Sequence, residues 1–250
     1  MLNLAATRSL VAVGGDWPCV VLDDALLAPL ELVTLASTHR AAFAPAVASG
    51  FPGLELPLPD SVAAGIAGGF AALYAAPLGL GPLLSAQGRL SLVTLAAEQL
   101  QPLQRLCHRD RLFVAPGERA IAAVLYLFED ATLGGTGFFV PQQDAAATEA
   151  LMASFATMNT TQASARLDRP PGYLTRSNAF FERVQTVSAR WNRLIIYDGH
   201  QFHGSSIERP DLLSDDPLLG RLTLNLFLQF ADYSALSDMG RSIPPEHAPT

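Results

Sequence analysis

Apolar positions along this chain recur with two different periods. The run PCVVL over 18–22 reads as a short buried strand, and Leu27, Leu30, Val33 and Leu35 follow near helical spacing. The pattern predicts a helix that Asp23 or Asp24 caps and that ends near His39. Between Ala41 and Asp60, the residues Pro45, Gly50, Pro52, Gly53, Pro57 and Pro59 break regular structure and predict a loop. A second helix, rich in Ala and Gly, is expected over about 61–74. Beyond it the period shortens. Segments near 86–96, 119–128, 136–140, 183–189, 193–197, 202–207 and 221–230 are rich in Val, Ile, Leu, Phe and Thr and are separated by turn residues, as in a β-sandwich or barrel. Helical spacing returns between Asp144 and Asn159, where Leu151, Met152, Phe155 and Met158 make one apolar face. The stretch from there to Phe181 has no clear period, so a mobile lid is expected over about 141–181. The sum is an α+β chain in which N-terminal helices pack on one sheet of a jelly-roll core.

Length and composition narrow the class. With 250 residues and no internal repeat, one domain is expected: an N-terminal strand and helices over 17–100, a core over 101–232 and a frayed tail over 233–250. Half the residues are apolar and 16% are charged, which fits a packed enzyme and not a disordered chain. A formal charge of −7, with no Lys/Arg run, argues against nucleic acid as a partner. All sixteen basic side chains are arginine, so chemistry that needs a Schiff-base or phosphate-cradling lysine is excluded. Cys19 and Cys107 are too few for a disulfide framework or a structural zinc site, which points to a reducing cytoplasm. The N-terminus lacks the basic lead of a signal peptide, and no uninterrupted apolar stretch approaches the roughly 20 residues of a membrane span.

Candidate chemistry sits in two places. LCHRDRLF puts His108 and Asp110 two apart, so in an extended chain an imidazole and a carboxylate share one face. YDGHQFHGSSI offers His200 and His203 in or beside a later strand. Two histidines and one carboxylate on one face of an octahedral ion leave three positions open, the ligand set of non-haem Fe(II) oxygenases. A His-x-Asp pair alone is more often a structural hydrogen bond. The HRD tripeptide also occurs in protein kinases, but Ala115 stands where the catalytic loop has Asn, and the chain has neither DFG nor a lysine for ATP.

The order of the segments adds to these residues. AAVLYLFED, GGTGFF, NRLIIYDGHQFHGS and GRLTLNLFL follow one another as they do in 2-oxoglutarate/Fe(II) oxygenases, and the chain resembles the prolyl-hydroxylase-like branch, nearest to an uncharacterised bacterial family within it. The resemblance covers about 100–230, and PCVVLDDALLAPLELVTL resembles the opening strand and helix of many such enzymes. It implies a double-stranded β-helix with Fe(II) held by His108, Asp110 and His203, His203 occupying the FHGS position and His200 standing aside. It further implies that Arg221, with Thr223 on the same strand face, binds the distal carboxylate of 2-oxoglutarate, and that Tyr126 adds a phenolic hydrogen bond. Arg221 lies farther beyond His203 than is common in the family, because ERPDLLSDDPLLG intervenes as an inserted loop; Arg209 is the alternative. Gly134 and Gly135 would mark the hairpin after the Tyr126 strand. The implied activity is a dioxygenase reaction, by default hydroxylation of a small molecule or a peptide or protein side chain, with release of succinate and CO2. Arg166, Tyr173, Arg176 and Asn178 in the lid are candidates for specificity. Two competing readings are a jelly-roll metal- or ligand-binding protein without turnover and a cupin-type metalloenzyme that does not use 2-oxoglutarate. Neither gives Arg221, Thr223 and Tyr126 a role.

Overall fold

Strands dominate the computed structural model, which describes residues 1–45, 50–110 and 114–232; the expected frayed tail over 233–250 lies outside the described residues. They are β1 (Thr7–Val11), β2 (Cys19–Asp23), β3 (Ala44–Pro45), β4 (Gly53–Pro57), β5 (Leu80–Val93), β6 (Glu118–Tyr126), β7 (Gly135–Pro141), β8 (Phe181–Val187), β9 (Leu194–Asp198), β10 (Phe202–Ser206) and β11 (Arg221–Asp232). The helices are α1 (Leu30–Thr38), α2 (Asp60–Phe70), α3 (Ala145–Thr157) and α4 (Thr160–Leu167). An eight-stranded sheet runs β1-β2-β9-β6-β11-β5-β4-β3, and a three-stranded sheet runs β10-β7-β8. Every named pairing is antiparallel.

Alternation along the strands builds the layers, because successive side chains leave a strand on opposite faces. Val20, Leu22, Ile121, Ala123, Leu125, Leu194 and Ile196 face outward and meet Leu32, Val33, Ala36, Ala63, Ile66 and Phe70 of α1 and α2. Their neighbours Cys19, Val21, Ala122, Tyr126, Ile195 and Tyr197 face inward and meet Phe138 and Val187 of the small sheet. The small sheet in turn sends Phe139, Phe181 and Phe202 outward against Leu151 and Phe155 of α3 and Leu167 of α4. Both helix layers therefore cover a sheet, and strands covered on both sides read as continuous apolar runs.

Four elements differ from the sequence pattern. The helix expected from Asp23 starts at Leu30, with Pro29 at its N-cap. Asp24 takes a left-handed φ of 55°, and the Asp23 carboxylate is bound by Arg193 (2.6 and 2.9 Å) and Arg190 (3.1 Å) instead of capping a helix. The expected loop over 41–60 contains β3 and β4, and β4 pairs with β5 in the register Gly53↔Val93 to Pro57↔Arg89. Glycine is required at 53, since a Cβ there would sit 1.9 Å from the Leu92 carbonyl oxygen. β1 escaped notice because it is an edge strand with four of five residues exposed, which removes any apolar alternation. The expected mobile lid holds α4, capped by Asn159 and Gln162, and its later part is packed: Leu167, Leu174 and Phe180 lie in the cluster under α3. The helical run Asp60–Leu78, contrary to the expectation that no segment approaches a membrane span, is long and apolar enough to cross a membrane by length and composition; Ala63, Ile66, Ala67 and Phe70 on it are buried against the sheet.

Arg193 and then Arg190 hold the Asp23 carboxyl below its ordinary value, against the opposing effect of burial. The stabilisation is therefore present above the unfolded-state pKa near 3.9 and is lost as pH falls through the folded one. Asp23→Asn is expected to lower unfolding free energy by about 1–2 kcal/mol at pH 7, measured by chemical denaturation, with the difference from wild type vanishing at low pH.

Candidate metal centre

A pair of backbone hydrogen bonds brings the two halves of this site together. His108 N–H donates to the His203 carbonyl and His203 N–H to the His108 carbonyl, each at 2.9 Å. Asp110 N–H donates to the Gly199 carbonyl at 2.9 Å, and Gly199 N–H to that of Ala120 at 3.0 Å. The His-x-Asp segment thus lies extended along β10, on the side away from β7, where His203 pairs with Phe138. Extended backbone puts the His108 and Asp110 side chains on one face, and the antiparallel bridge sets His203 beside them. The imidazole centroids are 4.4 Å apart. Asp110 Oδ1 lies 3.9 Å from His108 Nε2 and 3.8 Å from His203 Nε2. One ligand-capable atom from each of the three residues lies within 4.8 Å of the other two. His200 is in the turn before β10, half-exposed, with its backbone N–H bonded to Asp198 Oδ1 at 2.8 Å; it is not in this group.

The electrostatics favour a cation. His203 Nδ1 lies 2.9 Å from the Gln201 carbonyl, which makes Nδ1 the donor and leaves the Nε2 lone pair turned toward Asp110. Tyr197 packs edge-on against the same ring at 4.8 Å. Burial pushes the His203 pKa down to about 4. His108, whose outer edge is exposed, is also held at about 4, by burial and then by the charge of His203. Both rings are therefore neutral at pH 7, the form that donates a lone pair to a metal. Burial raises the Asp110 carboxyl, while the charges of His108, Arg89 and His200 oppose that rise. Asp110 Oδ2 is buried without a hydrogen-bond partner. A buried acceptor left so is destabilising by about 1–3 kcal/mol. Two neutral imidazoles and one unsatisfied carboxylate oxygen are a donor set that fits a divalent transition ion.

Arg221, Thr223 and Tyr126 meet nearby. Thr223 pairs with Tyr126 across β11 and β6, and all three side chains are buried. The Arg221 guanidinium donates from Nε to the Gly134 carbonyl (3.1 Å) and from Nη2 to that of Gly135 (3.0 Å), and stands 5.9 Å from the Tyr126 ring centroid. Arg221 is 2% exposed, and no carboxylate among the described residues reaches it within ion-pair distance. Burial lowers its pKa, and Tyr126, Tyr173 and Tyr197 pull it back up. The Tyr126 hydroxyl shares a 2.7 Å hydrogen bond with Thr136 Oγ1, and burial pushes its pKa up to about 12. Arg209 is exposed and closed on itself in a bidentate pair with Asp211 (2.8 and 2.6 Å). Arg209, the alternative, thus already has an acidic partner.

Several participants were not legible as such. Gly134 and Gly135 matter through their carbonyls, and neither position admits a side chain: a Cβ would approach Ser206 O to 2.2 Å and Val187 O to 2.1 Å. Gln201 orients His203, Thr136 orients Tyr126, and Tyr197 links His203 to the small sheet through Phe138 at 5.0 Å. The alternation in LIIYD was the one signal that could have placed Tyr197 on the inner face. Of the lid candidates, Tyr173 is buried near Arg221 with its hydroxyl on the Leu95 carbonyl at 2.7 Å. Arg166 packs over Phe180, and Asn178 bonds the backbone of Phe180 and Phe181.

Among solved structures, the chain is similar to the non-haem alpha-ketoglutarate-dependent epimerase SnoN from nogalamycin biosynthesis (14% identity, 92% of this chain and 87% of that one, TM-score 0.44). It is also similar to HygX from Streptomyces hygroscopicus with nickel and 2-oxoglutarate bound (13%, 85% and 82%, TM-score 0.39). A third is the alpha-ketoglutarate-dependent carbocyclase SnoK (12%, 93% and 89%, TM-score 0.39). No curated protein sequence matches it. The model of one sequence family spans residues 5–228, strand β1 to strand β11, and so contains every side chain of the site: the chain belongs to DUF6445, a family of unknown function.

Proposed function

We propose that this protein is a cytoplasmic, single-domain dioxygenase of jelly-roll architecture that depends on Fe(II) and 2-oxoglutarate. It hydroxylates a small molecule or a peptide or protein side chain, releasing succinate and CO2. The single observation that carries the reading is a pair of incompletely satisfied charges: the buried Arg221 guanidinium has no acidic partner among the described residues, and Asp110 has a buried oxygen, Oδ2, with no hydrogen-bond partner. Each charge is costly where it stands. They are not placed to neutralise each other, and a metal with a dicarboxylate neutralises both. A non-catalytic binding protein or a metalloenzyme independent of 2-oxoglutarate accounts for the carboxylate and leaves the guanidinium unexplained.

His108, Asp110 and His203 would hold the iron from one face. Fe(II) with bound 2-oxoglutarate supplies the oxidising chemistry that divides dioxygen between succinate and a substrate C–H bond. The protein's share is positioning. The Gln201 carbonyl keeps His203 Nε2 free, and Tyr197 fixes the plane of the ring. The Gly134 and Gly135 carbonyls orient the Arg221 fork toward the distal carboxylate, with Thr223 and Tyr126 hydroxyls as further partners. The apolar packing of Phe138, Val187 and Ile195 between the sheets excludes water from one wall. Two buried free thiols, Cys19 and Cys107, whose pKa values burial pushes upward, suit a reducing compartment.

Anaerobic titration of the Fe(II) protein with 2-oxoglutarate is expected to give the weak visible charge-transfer band of a chelated keto acid, and its absence would overturn the reading. In Arg221→Gln the band should need at least tenfold more 2-oxoglutarate, about 1.4 kcal/mol of lost binding. Asp110→Asn should weaken Fe(II) binding at least tenfold in calorimetry. The same substitution should leave the metal-free protein no less stable, because it removes a buried charge that nothing compensates. In the metal-free protein, the His203 ring should titrate near 4 by NMR, far below the ordinary imidazole range near 6.5.

A further inference from the structure

The inner face of the large sheet changes character half-way across. Over β2, β9 and β6 it carries Val21, Ile195, Tyr197 and Ala122, all buried beneath the three-stranded sheet. Over β11, β5 and β4 the same face carries Thr223, Asn225, Ser91, Arg89 and Glu55, set side by side by the registers Thr223↔Ser91, Asn225↔Arg89 and Glu55↔Ser91. The other face of these strands stays apolar, with Leu90, Leu92, Leu222, Leu224 and Leu226 packed on the helices. A face that had only to be covered would be apolar as well. Here one face of two central strands is given over to hydrogen-bonding groups.

This polar half starts at the metal centre. The Gly199 Cβ position would lie 3.6 Å from both the Ala120 and the Asp110 Cβ atoms. Ala122, next on that face of β6, pairs with Phe227 on β11, and the Arg89 guanidinium stacks on the Phe227 ring at 4.4 Å. This guanidinium is held in place: the ring lies beneath it, and Glu55 pairs with it, accepting a hydrogen bond from Nη1 at 3.3 Å while Nε lies 3.1 Å from the other carboxylate oxygen without a hydrogen bond. Nη2 has no partner among the described residues, and the side chain is 30% exposed. Beside it, Asn225 Nδ2 donates to Ser91 Oγ at 3.0 Å, so the amide is fixed with its oxygen toward the same surface.

We propose that Arg89 reads the prime substrate: the free edge of its guanidinium takes a carboxylate, so the substrate is a small carboxylic acid lying on β11 and β5. The proposal rests on the dioxygenase reading for what happens to that acid, while the carboxylate seat itself stands on the sheet face alone. A guanidinium that is stacked and clamped has already lost its rotamer freedom, so little is spent in ordering it. Glu55 is a positioning residue, acting through Arg89.

The test is calorimetric titration of the full chain, with and without Fe(II) and 2-oxoglutarate under anaerobic conditions. The probes are the free L-amino acids and short monocarboxylates, their primary amides, and inorganic phosphate. At least one acid is expected to bind with a Kd below about 1 mM and its amide at least tenfold more weakly, a gap of about 1.4 kcal/mol. Arg89→Gln should abolish that preference while shifting amide binding less than twofold, and Arg89→Lys should keep part of it. Equal binding of acids and amides, a preference for phosphate, retention of the acid preference in Arg89→Gln, or no acid binding at all would each overturn the proposal. If Arg89→Gln does not fold, the acid-against-amide comparison in wild type and Arg89→Lys still decides. A missing charge-transfer band with the acid preference intact would sink the iron reading and leave the Arg89 site standing.

Discussion

A β-strand must send alternate side chains to opposite faces, and this protein is organised by how each face of one sheet is covered. The outer face of the eight-stranded sheet is closed by α1 and α2. The inner face is closed by a second sheet of only three strands, which cannot reach all the way across. Beyond its reach, β11, β5 and β4 change composition on this face while keeping their leucines on the far side. The apolar half provides rigidity; the other half carries polar groups. The candidate metal ligands His108, Asp110 and His203 stand at the boundary, where β10 and the 108–110 segment run together.

Charge follows the same division. In the closed half, burial is matched by apolar side chains. At the boundary it falls on ionisable groups, holding two imidazoles neutral and raising a carboxyl. Arg221 is caught in the same situation, with two backbone carbonyls for partners and no acid. Partial dipoles do not neutralise a full charge in a low-dielectric interior. Asp110 and Arg221 thus carry opposite charges, each incompletely satisfied among the described residues. By contrast Asp23, Arg190 and Arg193 form a complete cluster at the end of β2 and β9, where the function is structural.

Local features explain why these groups are so exactly placed in space without long-range order in the sequence. Gly134 and Gly135 let the strand pass within contact of Ser206 and Val187, which turns their carbonyls toward Arg221. The Gln201 carbonyl, two residues before His203, selects the tautomer of the ring. The inserted loop between β10 and β11 lengthens the chain between His203 and Arg221 without moving either, because each is fixed by a strand partner: His203 by Phe138 and Arg221 by Val93.

By itself the sequence determined the strand segments of the core, the two helices that cover the sheet, and the residue types able to hold a metal, since period-two alternation and the His-x-Asp spacing are local facts. It missed β1 because an exposed edge strand has no apolar alternation, and β4 because its prolines and glycines look like a loop until β5 lies beside them. It placed a helix cap at Asp23 or Asp24, and the true partners of Asp23, Arg190 and Arg193, lie 167 and 170 residues away in the chain. Only the tertiary structure could set His203 beside His108 and Asp110, show Arg209 exposed and paired with Asp211, and put Arg89 on the same sheet face as Thr223. Those placements depend on which strands pair and which face of each is covered, and that is decided by the packing of one sheet on another, a long-range property that no stretch of chain contains.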